Sequence, residues 1–427
     1  MRVMILGGGG REHALAWSVA KSPRVDGVLC VPGNAGTAAL GENVAASLDD
    51  HDALVKVARD HAVDLTIVGP EAPLCAGIVD RFEKEGLRIF GPTAAAARIE
   101  GDKAFAKGLM KSASVPTAEG RVFTDLKQAK QYVGTRDTGV VVKAAGLAAG
   151  KGVFVCEDPA YGLLALEDMM EKRVFGAAGD KVVVEELLKG EELSVFALVD
   201  GQTIYVLETA QDHKRVGEGD TGPNTGGMGA YSPAPIATPE LMATVDREIL
   251  VPIVDAMRKE GCPYRGVLYV GLMITAAGPK VLEFNCRFGD PEVQALLLRL
   301  ESDLAALLES AVDGRLADAD VRWDQRSAVT VVMASEGYPG SYEKGKVIEG
   351  LDKAAGMQDV VVFHAGTKQL EGRVVTNGGR VLSVTALGAD VADAKARALR
   401  AAELIRFDGA FYRSDIGDRA IPAAQRT

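Results

Sequence analysis

The sequence has 427 residues, 47% hydrophobic and 25% charged, the composition of a globular protein with real cores and room for two to four domains. Its formal net charge of −11 argues against nucleic acid as a partner, because a polyanion needs a basic surface; small anions held by local Lys, Arg or helix N-termini stay open. Five scattered cysteines without C-x-x-C and five histidines without H-x-x-x-H read as reduced thiols and no zinc site. No apolar run approaches the ~20 residues of a membrane span, and the opening residues lack a signal-peptide design, so a soluble, cytoplasmic protein is expected.

In the first hundred residues strand patterns at 3–6, 28–31, 65–68 and 88–90 alternate with amphipathic segments such as 52–61 and 77–85. This βαβ rhythm predicts a doubly wound parallel sheet, with glycine-proline turns at the strand ends where such sheets bind ligands. After residue 99 the rhythm changes. A helix at 103–111 leads to strands at 140–143 and 153–156 around a glycine loop, a helix at 163–172, a strand at 182–185 and a hairpin about Asp200-Gly201. A long loop without structure of its own is expected at 212–235, then a helix at 240–259 and strands at 266–274 and 279–284. A strand-rich C-terminal region follows from 327, with strands at 329–333 and 380–385 and a helix at 391–405.

The opening stretch GGGGREHALAW (7–17) follows an apolar strand, as in dinucleotide-binding folds. The fingerprint fails, however: its third small position falls on Glu12 or His13, and the second strand runs into Val31-Pro32-Gly33 without the ribose-binding acid. A nicotinamide enzyme is therefore disfavoured. The turn still offers N–H groups at a helix N-terminus, with Arg11 adding a charge, so an anion could sit there. His13 reads as a packed or capping residue.

Three later stretches make up a nucleotide site. In VVVKAAGLAAGKGVFV (140–155), strands flank a small-residue loop with two lysines. Its glycine spacing rules out a Walker loop, and a strand–glycine loop–strand lid over phosphates fits better. VVVEELLKGEELS (182–194) reads either as a solvated edge or as a hinge whose backbone meets an adenine edge. In VLEFNCRFGDPE (281–292), Glu283 and Asn285 are two apart on a strand and share a face, which suits a Mg²⁺ ion that keeps waters and phosphate oxygens. Arg287 and Asp290 follow in a turn.

These stretches, together with GGREHALAW (9–17), PGNAGT (32–37), VGPEAPL (68–74), KAFAK (103–107), QDHKRVGEGDTGPNTGGMGAYSP (211–233), HAGT (364–367) and TNGGRVL (376–382), resemble the ATP-grasp superfamily and, within it, the phosphoribosylamine–glycine ligase family. The resemblance spans essentially the whole chain, and the long loop and RFGDPE are its most specific parts. It implies an α/β, in part α+β, architecture: an N-terminal doubly wound domain (1–102), an ATP-grasp domain (103–326) with a lid at about 117–190, and a C-terminal α+β domain (327–427). It also implies ATP-dependent joining of glycine to 5-phosphoribosylamine through a glycyl phosphate, with Mg²⁺ or Mn²⁺, and a monomer is expected.

By the same resemblance Lys103 and Lys143 contact ATP phosphates, and Gly146, Gly150, Lys151 and Gly152 close over them. Glu185, Glu186, Leu187 and Leu188 form the adenine hinge, and Glu192 holds the ribose. Glu283 and Asn285 ligate the metal. Lys214, Arg287 and Asp290, with Asp212, surround glycine and the reacting centre, while Gly9, Arg11, Glu71 and Arg380 lie toward the phosphoribosylamine. Gly271 stands where many relatives carry a further acid, Ala145 where an Asp is common, and Asp102 where a Ser is common.

Overall fold

The computed structural model describes residues 1–148 and 151–422. Its N-terminal sheet has five parallel strands in the order Glu42–Asn43, Gly27–Pro32, Arg2–Gly7, Leu65–Val68, Ile89–Phe90. Successive residues feed opposite cores: Met4, Leu6, Leu29 and Val31 pack on one side, Val3, Ile5, Val28 and Cys30 on the other. Burial on both faces explains the unbroken apolar runs of these strands. Helices Gly10–Val19 and His51–Asp60 flank the sheet, the latter started by Asp50 accepting from the Ala53 N–H.

The stretch expected to form the lid folds as an antiparallel sheet in the order Gly120–Phe123, Val182–Glu186, Val140–Ala144, Val153–Cys156. Val140, Val142, Ala144, Val182 and Val184 join Leu166 and Met169 in a separate small core beneath two helices. The alternate residues Val141, Lys143, Val183 and Glu185 therefore face the other way, toward the cleft. The helix expected from residue 163 begins at Pro159, because Asp158 accepts from the Ala160 N–H and proline suits the first helical turn, and an unforeseen helix, Leu126–Val133, precedes it.

The central antiparallel sheet runs Ile204–Val206, Glu191–Asp200, Arg265–Thr275, Gly278–Asn285. Its register aligns Ser194, Gly271 and Glu283 in one row and Phe196, Tyr269 and Asn285 in the next row on the same face. Leu282 is an extra, bulged residue between the pairs Gly271–Glu283 and Leu272–Val281.

The expected loop at 212–235 is ordered instead. Gln211–Asp212 and Gly229–Ser232 are strands of the third sheet, in the order Gln211–Asp212, Gly229–Ser232, Ser327–Ser335, Arg380–Gly388, Val360–His364. Between them Arg215–Gly217 and Thr221–Asn224 form a hairpin. Gly229–Ser232 is fully buried, which a stretch rich in glycine and proline conceals, since its pairing partner lies about a hundred residues on. The sheet packs on helix Val391–Glu403 and, across its other face, on helix Glu292–Arg299. Among the described residues no helix is long and apolar enough to cross a membrane.

Candidate active site

The lid, the central sheet and the N-terminal turns meet around Glu283. Lys143 Nζ reaches Glu185 Oε2 at 2.6 Å and donates to the Leu282 carbonyl at 2.9 Å; the bulge turns that carbonyl out of the ladder to receive it. Lys107 Nζ pairs with the other Glu185 oxygen at 2.6 Å. Burial alone would raise the Glu185 carboxyl, but Lys143 and Lys107 outweigh it and hold it below the usual carboxylate range. Lys103 Nζ donates to the Gly146 carbonyl at 3.2 Å. Burial lowers its pKa, opposed by Glu283 and reinforced by the like charge of Lys143.

Glu283 is the focus of these charges. Burial works against its ionisation, yet Lys214, Lys143, Lys103 and Arg287 together keep it ionised below the ordinary range. Asn285 accepts from Arg287 Nη2 at 3.2 Å through Oδ1, while its buried Nδ2 has no partner among the described residues. The free Nδ2 is a donor and suits an acceptor such as a phosphate oxygen, whereas the Oδ1 that a cation would need faces Arg287. One carboxylate and one amide on a shared strand face fit a hard divalent ion that takes its remaining ligands from phosphate and water. Gly271 lies directly opposite Glu283, as expected from its place in the strand. Among the described residues no cluster of three His, Cys, Asp or Glu suits a metal, so protein ligands are few.

Lys214 Nζ meets Glu192 at 2.5 Å and lies 3.9 Å from Asp212. Desolvation opposes its charge, but Asp212 and Glu192 raise its pKa well above the usual lysine value. Burial pushes Asp212 up to about 7 against the pull of Lys214, with Glu292 pushing the same way. Glu192, assigned to the ribose, is thus already paired.

The hinge assignment narrows. The Glu186 carboxylate holds Lys280 at 2.8 Å and the Glu119 N–H at 2.9 Å. The Glu186 N–H donates to the Glu119 carbonyl and the Leu187 N–H to Gly139. The Leu188 N–H has no partner among the described residues. In the glycine loop, a Cβ on Gly146 would meet the Ala178 backbone at 2.8 Å, so only glycine fits that approach. Lys151 is exposed, and Gly150 lies outside the described residues. A cavity of about 260 Å³ is lined by Asp102, Ala145, Gly146 and Lys181, where the loop meets the start of the Lys103 helix and the Lys103 N–H donates to the Ala145 carbonyl at 2.8 Å. Asp102 caps that helix, accepting from the Ala104 and Phe105 N–H groups.

On the N-terminal side, Arg287 spans Glu100 (3.0 Å), Glu71 (3.4 Å) and Asn285. Burial opposes its charge, but Glu100 and Glu71 raise its pKa above the ordinary guanidinium value. Asp290 Oδ2 lies 3.1 Å from Arg380, whose guanidinium also donates to the Gly226 and Asp290 carbonyls. Burial works to raise the Asp290 carboxyl, but Arg380, Arg11, Gln294 and Arg287 together keep it below its usual range. The opening turn holds a surprise. Glu12 folds back to accept from the Gly9 N–H at 2.6 Å and from Arg11 Nε at 2.6 Å, and Arg11 donates on to the Phe288 carbonyl. An anion expected on the Gly9 N–H meets Glu12 there instead. The carboxylate fills the space a dinucleotide pyrophosphate would need: a Cβ on Gly69 would lie 2.0 Å from its oxygen. His13 is packed, its Nδ1 accepting from the His364 N–H at 2.7 Å.

Sequence reasoning missed Lys107, Glu100 and Glu12 as partners in this network. Two carried signals: Lys107 sits four residues after Lys103 on one helix face, and Gly9-x-x-Glu12 has capping-box spacing. Glu100 carried none.

Comparison with known proteins identifies the family of the chain. The N domain of phosphoribosylglycinamide synthetase matches residues 1–100, its ATP-grasp domain 101–293 and its C domain 328–419. A phosphoribosylamine–glycine ligase of Pseudomonas aeruginosa is 54% identical over 424 residues, covering 99% of this chain and 98% of the relative. One from Rhodopirellula baltica is 51% identical over 431 residues, with 99% of each covered. The crystal structure of the Thermotoga maritima phosphoribosylamine–glycine ligase superposes with a TM-score of 0.83 at 33% identity, covering 97% of this chain and 100% of that one. A biotin carboxylase domain from Hydrogenobacter thermophilus, in complex with MgADP, shares the fold at 16% identity and a TM-score of 0.76, covering 99% and 94%. The chain belongs to the phosphoribosylglycinamide synthetase family.

Proposed function

We propose that the cation cage around Glu283 is where this chain activates glycine for ligation. The chain is an ATP-dependent ligase of purine biosynthesis that joins glycine to 5-phosphoribosylamine, giving glycinamide ribonucleotide, ADP and phosphate. A glycine carboxylate oxygen attacks the γ-phosphorus, and ADP leaves. The amine nitrogen of phosphoribosylamine then attacks the acyl carbon of glycyl phosphate, phosphate leaves, and the nitrogen gives up a proton. The chemistry asks the protein for positioning and charge neutralisation rather than for a covalent nucleophile.

The observation that carries this reading is the combined field of Lys103, Lys143, Lys214 and Arg287 on one half-buried carboxylate beside a half-satisfied amide, while each cation makes its direct contacts to other groups. Lys103 and Lys143 hold the transferring phosphoryl group, and Gly146 and Gly152 let the lid backbone close over it. Leu188 donates to the adenine edge, and Glu192 turns from Lys214 to the ribose when nucleotide enters. Glu283 and Asn285 hold the divalent ion, Mg²⁺ or Mn²⁺, which when bound draws phosphate charge toward the cage. Lys214, Arg287 and Asp290, with Asp212, line the glycine side. Glu71, Arg11, Gly9 and Arg380 shape the wall toward the sugar phosphate.

Purified protein is expected to release ADP only when glycine and phosphoribosylamine are both present. ADP release that ignores glycine, or that favours another amino acid, overturns the reading.

A further inference from the structure

The third sheet ends in a segment that reaches back across the molecule to the hairpin following Lys214. Arg413 is almost fully buried, 1% exposed, and uses its whole fork. Nε and Nη2 take both oxygens of Asp415 at 2.7 and 2.6 Å, while Nη1 donates to the Arg215 carbonyl at 2.8 Å and to Asp220 at 3.1 Å. Asp220 gives its other oxygen to Arg419 at 2.5 Å, and Arg419 also donates to the Asp212 carbonyl at 3.5 Å. Asp415 accepts from the Gly219 N–H at 2.8 Å, and Ser414 binds Glu218 through both N–H and hydroxyl.

The hairpin tip needs this grip. Gly219 and Asp220 both have left-handed backbone, with φ of 64° and 57°, a conformation that resists a non-glycine residue unless its surroundings impose it. Arg215, whose carbonyl Arg413 holds, is the next residue after Lys214, and the Lys214 carbonyl itself accepts from the Thr225 N–H at 2.7 Å. A buried arginine is a weak device for stability alone, since a well-packed apolar side chain would serve as well. Its planar fork fixes directions instead, and here those directions end on the backbone flanking Lys214.

We propose that residues 413–419 act as a clasp that positions Lys214 for the reaction, with Arg413 and Asp220 as the positioning residues. The clasp rests on the placement of Lys214 at the reacting centre. In the test, kcat with saturating ATP, glycine and phosphoribosylamine is measured beside Tm for Asp220→Ala, Arg413→Met, Arg413→Lys and Lys214→Met. Asp220→Ala leaves both Arg419 and the buried Arg413 a partner short and lowers Tm, so kcat is read well below that Tm, where it falls about tenfold or more, the scale of a small misplacement. Arg413→Lys recovers part of what Arg413→Met loses. Asp220→Ala adds nothing to Lys214→Met in the double variant, because both act through one group. Wild-type kcat in Asp220→Ala, with activity lost in Lys214→Met, overturns the clasp even if Arg413→Met fails to fold. Full activity in Lys214→Met overturns the placement of Lys214 instead.

Discussion

Glu283 lies directly across the central sheet from Gly271, a residue with no side chain to share its work. The protein thus offers one carboxylate in the field of four cations, and a divalent ion held there would find its remaining ligands in Asn285, phosphate and water. Replacing Glu283 by Gln keeps the shape and removes the charge. Turnover should fall by about a hundredfold or more at any Mg²⁺ concentration, the scale seen when a preorganised charge is removed. Rates measured across a metal titration decide the matter, and a wild-type curve removes Glu283 from the metal site.

Glu185 sits between Lys107 and Lys143 at 2.6 Å from each, with side-chain exposures of 5%, 11% and 8%. Deleting one cation from a buried ion pair strands charge in a poor solvent. Lys107→Met should therefore cost about 3 kcal/mol of lid stability and raise the Glu185 carboxyl. Lys107 is not among the groups assigned to ATP, so the loss should appear in urea denaturation. A change below about 0.5 kcal/mol would show the surface-pair regime instead.

The N-terminal sheet was legible because parallel strands buried on both faces read as unbroken apolar runs, as Val3 to Leu6 do. The third sheet was not: Gly229–Ser232 hides in a run of glycine and proline, and its partner Ser327–Ser335 is distant in sequence. The site divides along the same line. Glu283 and Asn285 announce themselves by spacing on one strand, and Lys143 by its glycine loop. Glu100 sits at the end of an alanine-rich helix and acquires a role only by meeting Arg287 and the Cys286 N–H in three dimensions. Glu12 was visible as the residue that broke the dinucleotide fingerprint, though its use as an internal substitute for a bound anion needed the structure.

Two buried histidines and a half-buried third make the fold acid-sensitive. Burial lowers His13 to about 3, with His364 adding to the effect; burial also lowers His213 to about 3, with Arg419 adding to it, and His364 to about 4. Each is neutral when folded and protonates near 6.5 when unfolded. A depressed folded pKa gives stability that is fully present above 6.5 and is lost as pH falls toward 3–4. Each group contributes about 1.4 kcal/mol per pH unit in that window. His13→Asn preserves an acceptor for the His364 N–H and removes the titration. Its Tm should fall less steeply than that of the unmodified protein between pH 6.5 and 5. Parallel curves would mean that His13 does not titrate differently in the two states.

Arg287 joins four acceptors: Glu71, Glu100, the Asn285 amide and the Phe288 carbonyl. A lysine carries the same charge but cannot present a planar fork, so Arg287→Lys keeps the electrostatics and loses the geometry. With fewer donors to share, Glu71 and Glu100 are drawn toward one ammonium and the Asn285 amide is freed to turn. Metal-dependent kcat should fall about tenfold to a hundredfold, the usual effect of disturbing a residue that orients a metal ligand, and the metal concentration giving half-maximal rate should rise. If charge alone matters at this position, both quantities stay at their unmodified values. The pair of measurements therefore separates an orienting role for Arg287 from a purely electrostatic one.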